Sequence, residues 1–126
     1  PSSGRRLLVV DDNKDAADTL ALLLRLQGHD VEVAYDGPSA LTLAASRRPD
    51  LIFLDLGMPG MDGYEVARRL RVQPGLEKVR LAALTGWGQH ADRRRSHEAG
   101  FDHHLTKPID PASLEELLAD LPELAG

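Results

Sequence analysis

The sequence has no cysteine, no glycine-rich nucleotide-binding fingerprint and no long apolar run, and each absence excludes a class of protein. Without cysteine the chain has no disulfide, no thiolate metal site and no cysteine nucleophile, which is compatible with a reducing cytoplasm. No stretch reaches the roughly 18 apolar residues that a membrane-spanning helix needs. No charged segment followed by an apolar stretch marks a secretory signal. These features predict a cytoplasmic domain with no membrane contact of its own.

Basic residues are also scarce: the chain has 15 Lys and Arg and 20 Asp and Glu, which gives a formal net charge of −5. Direct binding of nucleic acid needs a basic surface, so none is expected, and the two arginine clusters (68–71 and 93–95) are interpreted as solvated helix faces. A chain of 126 residues fits one domain and leaves no room for a DNA-binding output domain. Because the chain begins with Pro1, it is expected to be excised from a longer protein. Residues 1–5 are expected to be a linker or a remnant of cloning, and residues 6–126 one domain.

Apolar runs and segments of helical periodicity alternate five times along the chain. The runs predict strands at 7–10, 31–35, 51–54, 79–84 and around Leu105. The run at 51–54 is continuous, which is typical of a strand covered on both faces, whereas the alternation at 31–35 indicates a strand near a sheet edge. Strands that alternate with helices at this spacing predict a parallel sheet with helices on both faces.

The predicted helices have recognisable ends and, in four cases, one apolar face. Gly28 is expected to end the first helix, Asp36 to begin the second, and Asp110 to cap the last, with Pro111 in its first turn. The fourth, within 89–99, is nearly all polar and is expected to be less firmly held than the others. The residues expected to face inward are Ala16, Leu20, Leu23 and Leu24, then Ala40, Leu41, Ala44 and Ala45, then Val66, Ala67 and Leu70, and finally Leu114, Leu117, Leu118 and Leu121.

Polar residues follow four of the five predicted strands. Asp11 and Asp12 follow the first, Asp55 the third and Thr85 the fourth, and Lys107 comes shortly after the fifth. The carboxyl ends of parallel strands meet at one edge, where the ligand sites of such sheets are found. Each residue alone has an ordinary explanation, as a helix or loop cap, a threonine bonded to nearby backbone, or a surface lysine. Their combination at one edge is what indicates a site.

Three carboxylates at one edge repel each other unless positive charge joins them, and Lys107 supplies one such charge. A divalent cation with oxygen ligands resolves the imbalance, and Mg²⁺ suits carboxylates and water, whereas zinc would call for His or Cys alongside. A metal beside a carboxylate indicates phosphoryl transfer, with the carboxylate as nucleophile and an acyl phosphate as product. Thr85 could donate its hydroxyl to one phosphoryl oxygen, and Lys107 could pair with another.

Several segments in order resemble the signature of the response-regulator receiver family. They are Val9–Asp12, Asp55–Gly63, Leu84–Gly86 and Lys107-Pro108. Thirty residues separate Asp55 from Thr85 and twenty-two separate Thr85 from Lys107, both as in the family, and the similarity runs from about residue 6 to residue 121. The resemblance implies a flavodoxin-like α/β fold with five helices and a five-stranded parallel sheet in the order 2-1-3-4-5.

The resemblance also implies a role for each matched residue. Asp55 is the phosphoacceptor, and Asp12 and Asp55 bind Mg²⁺ through their side chains. Gly57 binds the metal through its carbonyl and Asp11 through a water. Thr85 and Lys107 contact the phosphoryl group, and the Lys107-Pro108 bond is cis. The implied donor is a phosphohistidine on a histidine kinase or a histidine phosphotransfer protein.

Two positions depart from the family pattern. Three residues before Lys107, where the family commonly has Tyr or Phe as a switch residue, this chain has His104; an imidazole is smaller than those rings and can titrate near neutral pH. We expect the switch pair to be Thr85 and His104. Two residues after Thr85 stands Trp87, an unusually large side chain. One hypothesis is that Trp87 covers the phosphoryl site and alters the lifetime of the phosphoryl group; a partner contact is the alternative.

Residues 100–108 look most like receivers fused to hybrid sensor kinases, so a parent hybrid protein would be a histidine kinase. The domain alone would catalyse its own phosphorylation and dephosphorylation without being a classical enzyme, and a monomer or weak dimer is expected. One alternative, an aspartate-nucleophile phosphatase, would have an acid–base Asp where Gly57 stands. A flavin or nucleotide module would not place Asp11 and Asp12 where phosphate binds. A receiver that binds partners without phosphorylation stays open.

Overall fold

Strands and helices alternate from end to end in the computed structural model, which describes residues 4–86 and 93–121. The strands are β1 (Arg6–Val10), β2 (Asp30–Ala34), β3 (Leu51–Asp55), β4 (Arg80–Thr85) and β5 (His103–Thr106). The helices are α1 (Lys14–Leu26), α2 (Gly37–Arg47), α3 (Gly63–Arg71), α4 (Arg93–Ala99) and α5 (Pro111–Ala119). Over the same residues, no helix is long and apolar enough to cross a membrane.

The five strands form one parallel sheet in the order β2-β1-β3-β4-β5, which confirms the implied flavodoxin-like topology. Strand β3 lies at the centre, and all five of its residues are buried. Strand β2 lies at an edge, as its alternating pattern predicted. Because the order changes direction at β1 and β3, the site residues that follow these two strands lie at the topological switch point of the sheet.

Alternate residues of each central strand enter two separate core layers. Along β1, Leu8 and Val10 pack into the layer that α2, α3 and α4 cover, while Leu7 and Val9 pack into the layer that α1 and α5 cover. Phe53, the largest fully buried side chain among the described residues, belongs to the α1–α5 layer. The period of two along a strand therefore distributes the apolar side chains over both faces of the sheet.

Helix boundaries follow the predicted capping residues. Asp36 accepts a hydrogen bond from the Ser39 amide at 2.7 Å at the start of α2, and Asp110 caps α5 in the same way. Gly28 lies just after α1 with a φ of +94°, a left-handed conformation that glycine adopts without a steric penalty. The Lys107-Pro108 peptide bond is cis, as the resemblance implied.

The predicted inner faces of two helices were partly wrong. In α1, Ala17 and Ala21 are buried, whereas Ala16 and Leu23 are only partly buried. In α2, Ala45 is exposed. The buried face of α1 consists of Ala17, Leu20, Ala21 and Leu24, so it keeps two of the predicted leucines and has two alanines in place of Ala16 and Leu23. The predicted inner residues of α3, by contrast, are all buried.

Arg71 joins three parts of the fold at the end of α3. Its guanidinium donates to the carbonyls of Glu77, Val79 and Gly100 and to the Asp102 carboxylate, and its stem lies where a Cβ on Gly100 would be. The side chain is 21% exposed, so these carbonyls have limited access to water. Arg71 therefore fixes the segment between α4 and β5 against the start of β4.

The Arg71→Lys variant is expected to lower the free energy of unfolding by about 1–3 kcal/mol, because a single ammonium cannot reach carbonyls on both sides of the guanidinium. Urea unfolding measures the change. The matched control is Arg69→Lys, since Arg69 is about half exposed and pairs with Glu65 four residues earlier, at 3.5 Å. The control is expected to change stability by less than about 0.5 kcal/mol. Equal effects of the two variants would show that the Arg71 hydrogen bonds do not hold the fold.

Candidate functional site

The residues that the sequence placed at the sheet edge lie together in the structure. Asp11 directly follows β1, Asp55 and Thr85 are the last residues of β3 and β4, and Lys107 directly follows β5. These four strands are neighbours in the sheet and run in the same direction, so their carboxyl ends form one continuous edge.

The site is a cluster of three carboxylates and one ammonium. One oxygen from each of Asp11, Asp12 and Asp55 can be chosen so that all three lie within 4.8 Å of one another. The Lys107 ammonium lies 2.6 Å from Asp11 Oδ2 and 3.6 Å from Asp55 Oδ1. Asp11 and Asp55 are 1% and 6% exposed, whereas Asp12 lies at the surface. The cluster thus has an excess of negative charge, part of it in a buried setting.

Backbone groups fix the two buried carboxylates. The Asn13 amide donates to Asp11 Oδ1 at 3.0 Å, and the Gly57 amide donates to Asp55 Oδ1 at 3.2 Å. Each bond joins a carboxylate to the amide two residues later, an arrangement that aspartate readily forms in a turn. Both carboxylates are therefore oriented by the strand ends that carry them.

Gly63 supports the site, although no role was predicted for it from sequence beyond its place at the end of the Asp55–Gly63 segment. A Cβ on Gly63 would lie 2.4 Å from the carbonyl oxygen of Asp55 and 2.8 Å from the Cα of Leu56. Its amide donates to the Leu56 carbonyl at 3.3 Å. The first turn of α3 thus lies directly against the peptide that carries Asp55. The available signal was a glycine just after the capping residue Asp62, which helix propensity alone disfavours.

Burial raises the pKa of Asp55 to about 6, and the neighbouring Asp11 carboxylate adds to the rise. The Gly57 amide and the Lys107 ammonium oppose it, because both favour the ionised form. In the metal-free protein Asp55 is consequently ionised only above about pH 6. Above that pH, the negative charge on Asp55 lowers the free energy of unfolding.

Replacing Asp55 with asparagine is expected to stabilise the metal-free protein at pH 7–8, by about 1–2 kcal/mol once screening at the sheet edge is allowed for. The folded pKa of about 6 lies above the ordinary value of 3.8, so ionised Asp55 opposes folding. The gain in the free energy of unfolding of Asp55→Asn is fully present above the pKa of Asp55 in the folded protein. It shrinks as the pH falls through about 6 and disappears near the ordinary pKa, where Asp55 is protonated in both states. Urea unfolding in chelator across this range measures it.

Asp50→Asn is the matched control for this pH dependence. Asp50 directly precedes β3, at the amino-terminal ends of the strands, and its carboxylate accepts a hydrogen bond from the Arg6 amide at 2.9 Å. This variant is expected to show no gain at neutral pH. If the stability difference between Asp55→Asn and the unchanged protein does not vary with pH, the ionisation of Asp55 is not what opposes folding.

The carboxylate cluster meets the chemical requirements of a Mg²⁺ site. All its candidate ligand atoms are oxygens, the donor type that Mg²⁺ prefers, and a surface carboxylate leaves room for coordinated water. After burial, the Asp11 carboxylate also raises the pKa of Asp55, and a bound divalent cation would oppose both effects. Within residues 4–86 and 93–121, this cluster is the one group of three or more His, Cys, Asp or Glu side chains with metal-binding spacing.

Thr85 and His104 occupy neighbouring strands. The Thr85 hydroxyl donates to the Leu105 carbonyl at 3.4 Å, and the Lys107 amide donates to the Thr85 carbonyl at 2.8 Å. The His104 ring lies 6.4 Å from the ring of Phe101, which is buried. His104, the predicted switch residue, is therefore partly buried beside a core aromatic. Trp87, by contrast, lies outside the described residues.

Comparisons with known proteins agree with this geometry. The family model described as "Response regulator receiver domain" matches residues 7–119. The DNA-binding dual master transcriptional regulator RpaA of Synechocystis is 39% identical over 114 residues, which are 90% of this chain and 46% of RpaA. The chain thus spans less than half the length of this relative.

Two solved structures show the same fold. The chemotaxis protein CheY4 of Vibrio cholerae superposes with a TM-score of 0.87 at 28% identity, over 94% of this chain and 99% of that one. The receiver domain of the sensor histidine kinase PA1611 from Pseudomonas aeruginosa superposes with a TM-score of 0.84 at 32% identity, over 94% and 97% of the two chains. That structure has a magnesium ion coordinated in its active-site cleft.

Proposed function

This chain belongs to the response-regulator receiver family of two-component signalling, and we propose that Asp55 is the residue that accepts the phosphoryl group. The observation that carries the proposal is the position of the Asp55 carboxylate. It ends the central strand, is 6% exposed, and lies within 4.8 Å of the Asp11 and Asp12 carboxylates and 3.6 Å from the Lys107 ammonium. Among the described residues, Asp11 is the other buried carboxylate at this edge, and it lies closer to Lys107, at 2.6 Å.

In the proposed reaction a carboxylate oxygen of Asp55 attacks the phosphorus of a phosphohistidine. The new bond joins Asp55 oxygen to phosphorus, the phosphorus–nitrogen bond breaks, and its electron pair stays on the imidazole nitrogen, which takes up a proton. Because Asp55 is ionised above about pH 6, no general base is needed. Lys107 and the Thr85 hydroxyl lie at the same edge, where they can pair with phosphoryl oxygens.

We propose that Mg²⁺ is held by the carboxylates of Asp12 and Asp55, by the Gly57 carbonyl and, through a water, by Asp11. The metal, when bound, neutralises charge on the phosphoryl oxygens. The carboxylate cluster and the magnesium ion in the PA1611 receiver support this assignment. Thr85 and His104 are proposed as the switch pair, with the partly buried His104 ring able to change its contact with Phe101.

The proposed donor is a histidine kinase or a histidine phosphotransfer protein, acting in the cytoplasm. An apolar groove of about 370 Å³ lies between α1 and the start of α5 and reaches Asp11 and Lys107. Its apolar lining includes Leu20, Leu23 and Ile109. A protein that brings a phosphohistidine to Asp55 must cover part of this edge, and the groove offers an apolar surface for it.

The intact mass of the chain after incubation with acetyl phosphate and Mg²⁺ tests the proposal. We expect a gain of one phosphoryl group, which is lost when a chelator replaces Mg²⁺. Borohydride reduction followed by peptide mapping places the modification, because it converts an aspartyl phosphate to homoserine. A phosphoryl group on another residue, or a gain that survives the chelator, would contradict the proposed site. Beryllofluoride titration covers the case of rapid hydrolysis, and an absence of both products would contradict the function.

A further inference from the structure

Helix α4 has few apolar contacts with the rest of the fold. Among residues 94–99, whose side chains are described, only Ser96 and Ala99 are buried, and both are small. The burial of two small side chains contributes little hydrophobic stabilisation. Specific polar contacts of α4 are therefore a large share of what holds it in place.

One polar side chain on the buried side of α4 is unsatisfied. The Ser96 hydroxyl is fully buried and has no hydrogen-bond partner within the described part of the chain. A buried hydroxyl without a partner opposes the arrangement that buries it, typically by about 1–3 kcal/mol. This unpaired hydroxyl therefore makes the observed position of α4 less stable than one that would expose or pair it.

Arg95 supplies two specific contacts between α4 and the first turn of α3. Its guanidinium carbon lies 4.0 Å from the centroid of the Tyr64 ring, and its Nη2 lies 3.5 Å from Asp62 Oδ2. A guanidinium over an aromatic face is attracted by the ring quadrupole, and the carboxylate adds a charge–charge contact. The other Asp62 oxygen accepts the Glu65 amide at 3.0 Å, which fixes the carboxylate at the start of α3.

The two partners of Arg95 flank Gly63, the residue that lies against the Asp55 peptide. Tyr64 also meets the Phe101 ring edge-on, with centroids 6.2 Å apart, and Phe101 in turn contacts His104. A continuous set of contacts thus joins Arg95 to the phosphoacceptor peptide on one side and to the switch position on the other. Packed side chains and charged contacts of this kind are among the structures that carry coupling between distant sites.

We propose that Arg95 is a latch that holds α4 against α3 in the unphosphorylated protein, and that a phosphoryl group on Asp55 favours the released position. This inference rests on the proposed phosphoacceptor function. Linkage makes the coupling reciprocal, so removal of the latch raises the affinity of the site for a phosphoryl group or its analogue. A merely stabilising contact would lower the stability of the fold without this gain in affinity.

The experiment compares Arg95→Gln with Arg94→Gln, an adjacent exposed arginine whose replacement changes the net charge by the same amount. Beryllofluoride, titrated in the presence of Mg²⁺, is the phosphoryl analogue. Arg95→Gln is expected to bind it about 3–10-fold more tightly than Arg94→Gln, the effect of losing roughly 1 kcal/mol of contact. Hydrogen exchange of the α4 amides without the analogue is expected to be faster in Arg95→Gln alone.

Tyr64→Leu is the second variant, because it keeps an apolar side chain and removes the aromatic face. It is expected to reproduce part of the gain in affinity. Equal affinities of Arg95→Gln and Arg94→Gln, or weaker binding by Arg95→Gln, would overturn the latch and leave the phosphoacceptor function standing. If neither the unchanged protein nor any variant bound beryllofluoride, the phosphoacceptor function would fail, and the latch with it.

Discussion

Replacing Asp55 with asparagine is expected to abolish phosphoryl acceptance, lowering the rate by at least about 1,000-fold. The amide has nearly the shape of the carboxylate but is not a nucleophile, so the reaction loses the atom that forms the new bond. Asp11 is not a substitute, because one of its oxygens accepts the Asn13 amide and the other lies 2.6 Å from Lys107. Intact mass after incubation with acetyl phosphate and Mg²⁺ measures the loss.

Two further variants show whether the loss is specific. Asp50→Asn makes the same chemical change at the amino-terminal ends of the strands and is expected to leave acceptance unchanged. Asp55→Glu keeps a carboxylate but moves it by one methylene group, away from its 3.6 Å approach to Lys107, and is expected to accept poorly. A full gain of mass in Asp55→Asn would mean that the acceptor is another residue, which peptide mapping would then identify.

The strand pattern of this fold could be predicted because each strand's burial is visible in its residues. The continuous run at 51–54 marked the buried central strand, and the alternation at 31–35 marked an edge strand. The order of the strands came from the family resemblance, since periodicity does not determine which strands are neighbours. Capping residues such as Asp36 and Asp110 gave the helix starts, because the capping interaction is local in sequence.

The inner faces of α1 and α2 could be predicted only in part. Apolar spacing shows roughly which side of a helix is buried, but which residues lie at the centre of the contact depends on packing against distant strands. In α1, Ala17 and Ala21 are buried and Leu23 is only partly buried. In α2, Ala45 is exposed.

The candidate site and its excess of negative charge could be predicted from sequence, but the pairing of Lys107 within it could not. Polar residues after parallel strands must meet at one edge, so Asp11, Asp55 and Lys107 were placed together correctly. That Lys107 lies closer to Asp11 than to Asp55 depends on how the segment after β5 packs, which no local pattern encodes. Gly63 was missed for a similar reason, because its contact is with backbone atoms of a distant strand.

The Gly63→Ala variant is expected to disturb both the stability and the chemistry of the site. The new Cβ would lie 2.4 Å from the Asp55 carbonyl oxygen and 2.8 Å from the Leu56 Cα, and neither is the end of a flexible side chain. Overpacking against backbone of this kind lowers the free energy of unfolding by about 2–3 kcal/mol. Relief of the clash moves either α3 or the Asp55 peptide, and displacements of about 1 Å can reduce reactivity about 100-fold.

Gly60→Asn is the matched control, because Gly60 lies in the same segment between β3 and α3 but in open space. A Cβ there would have no atom within 4 Å, and asparagine tolerates the left-handed φ of +76° better than other residues. Urea unfolding and the initial rate of phosphorylation by acetyl phosphate are measured for both variants. If Gly63→Ala behaved like Gly60→Asn, the first turn of α3 would be free to move away from Asp55. Gly63 would then not couple α3 to the phosphoacceptor, and the contacts of Arg95 on either side of it would have no route to the site.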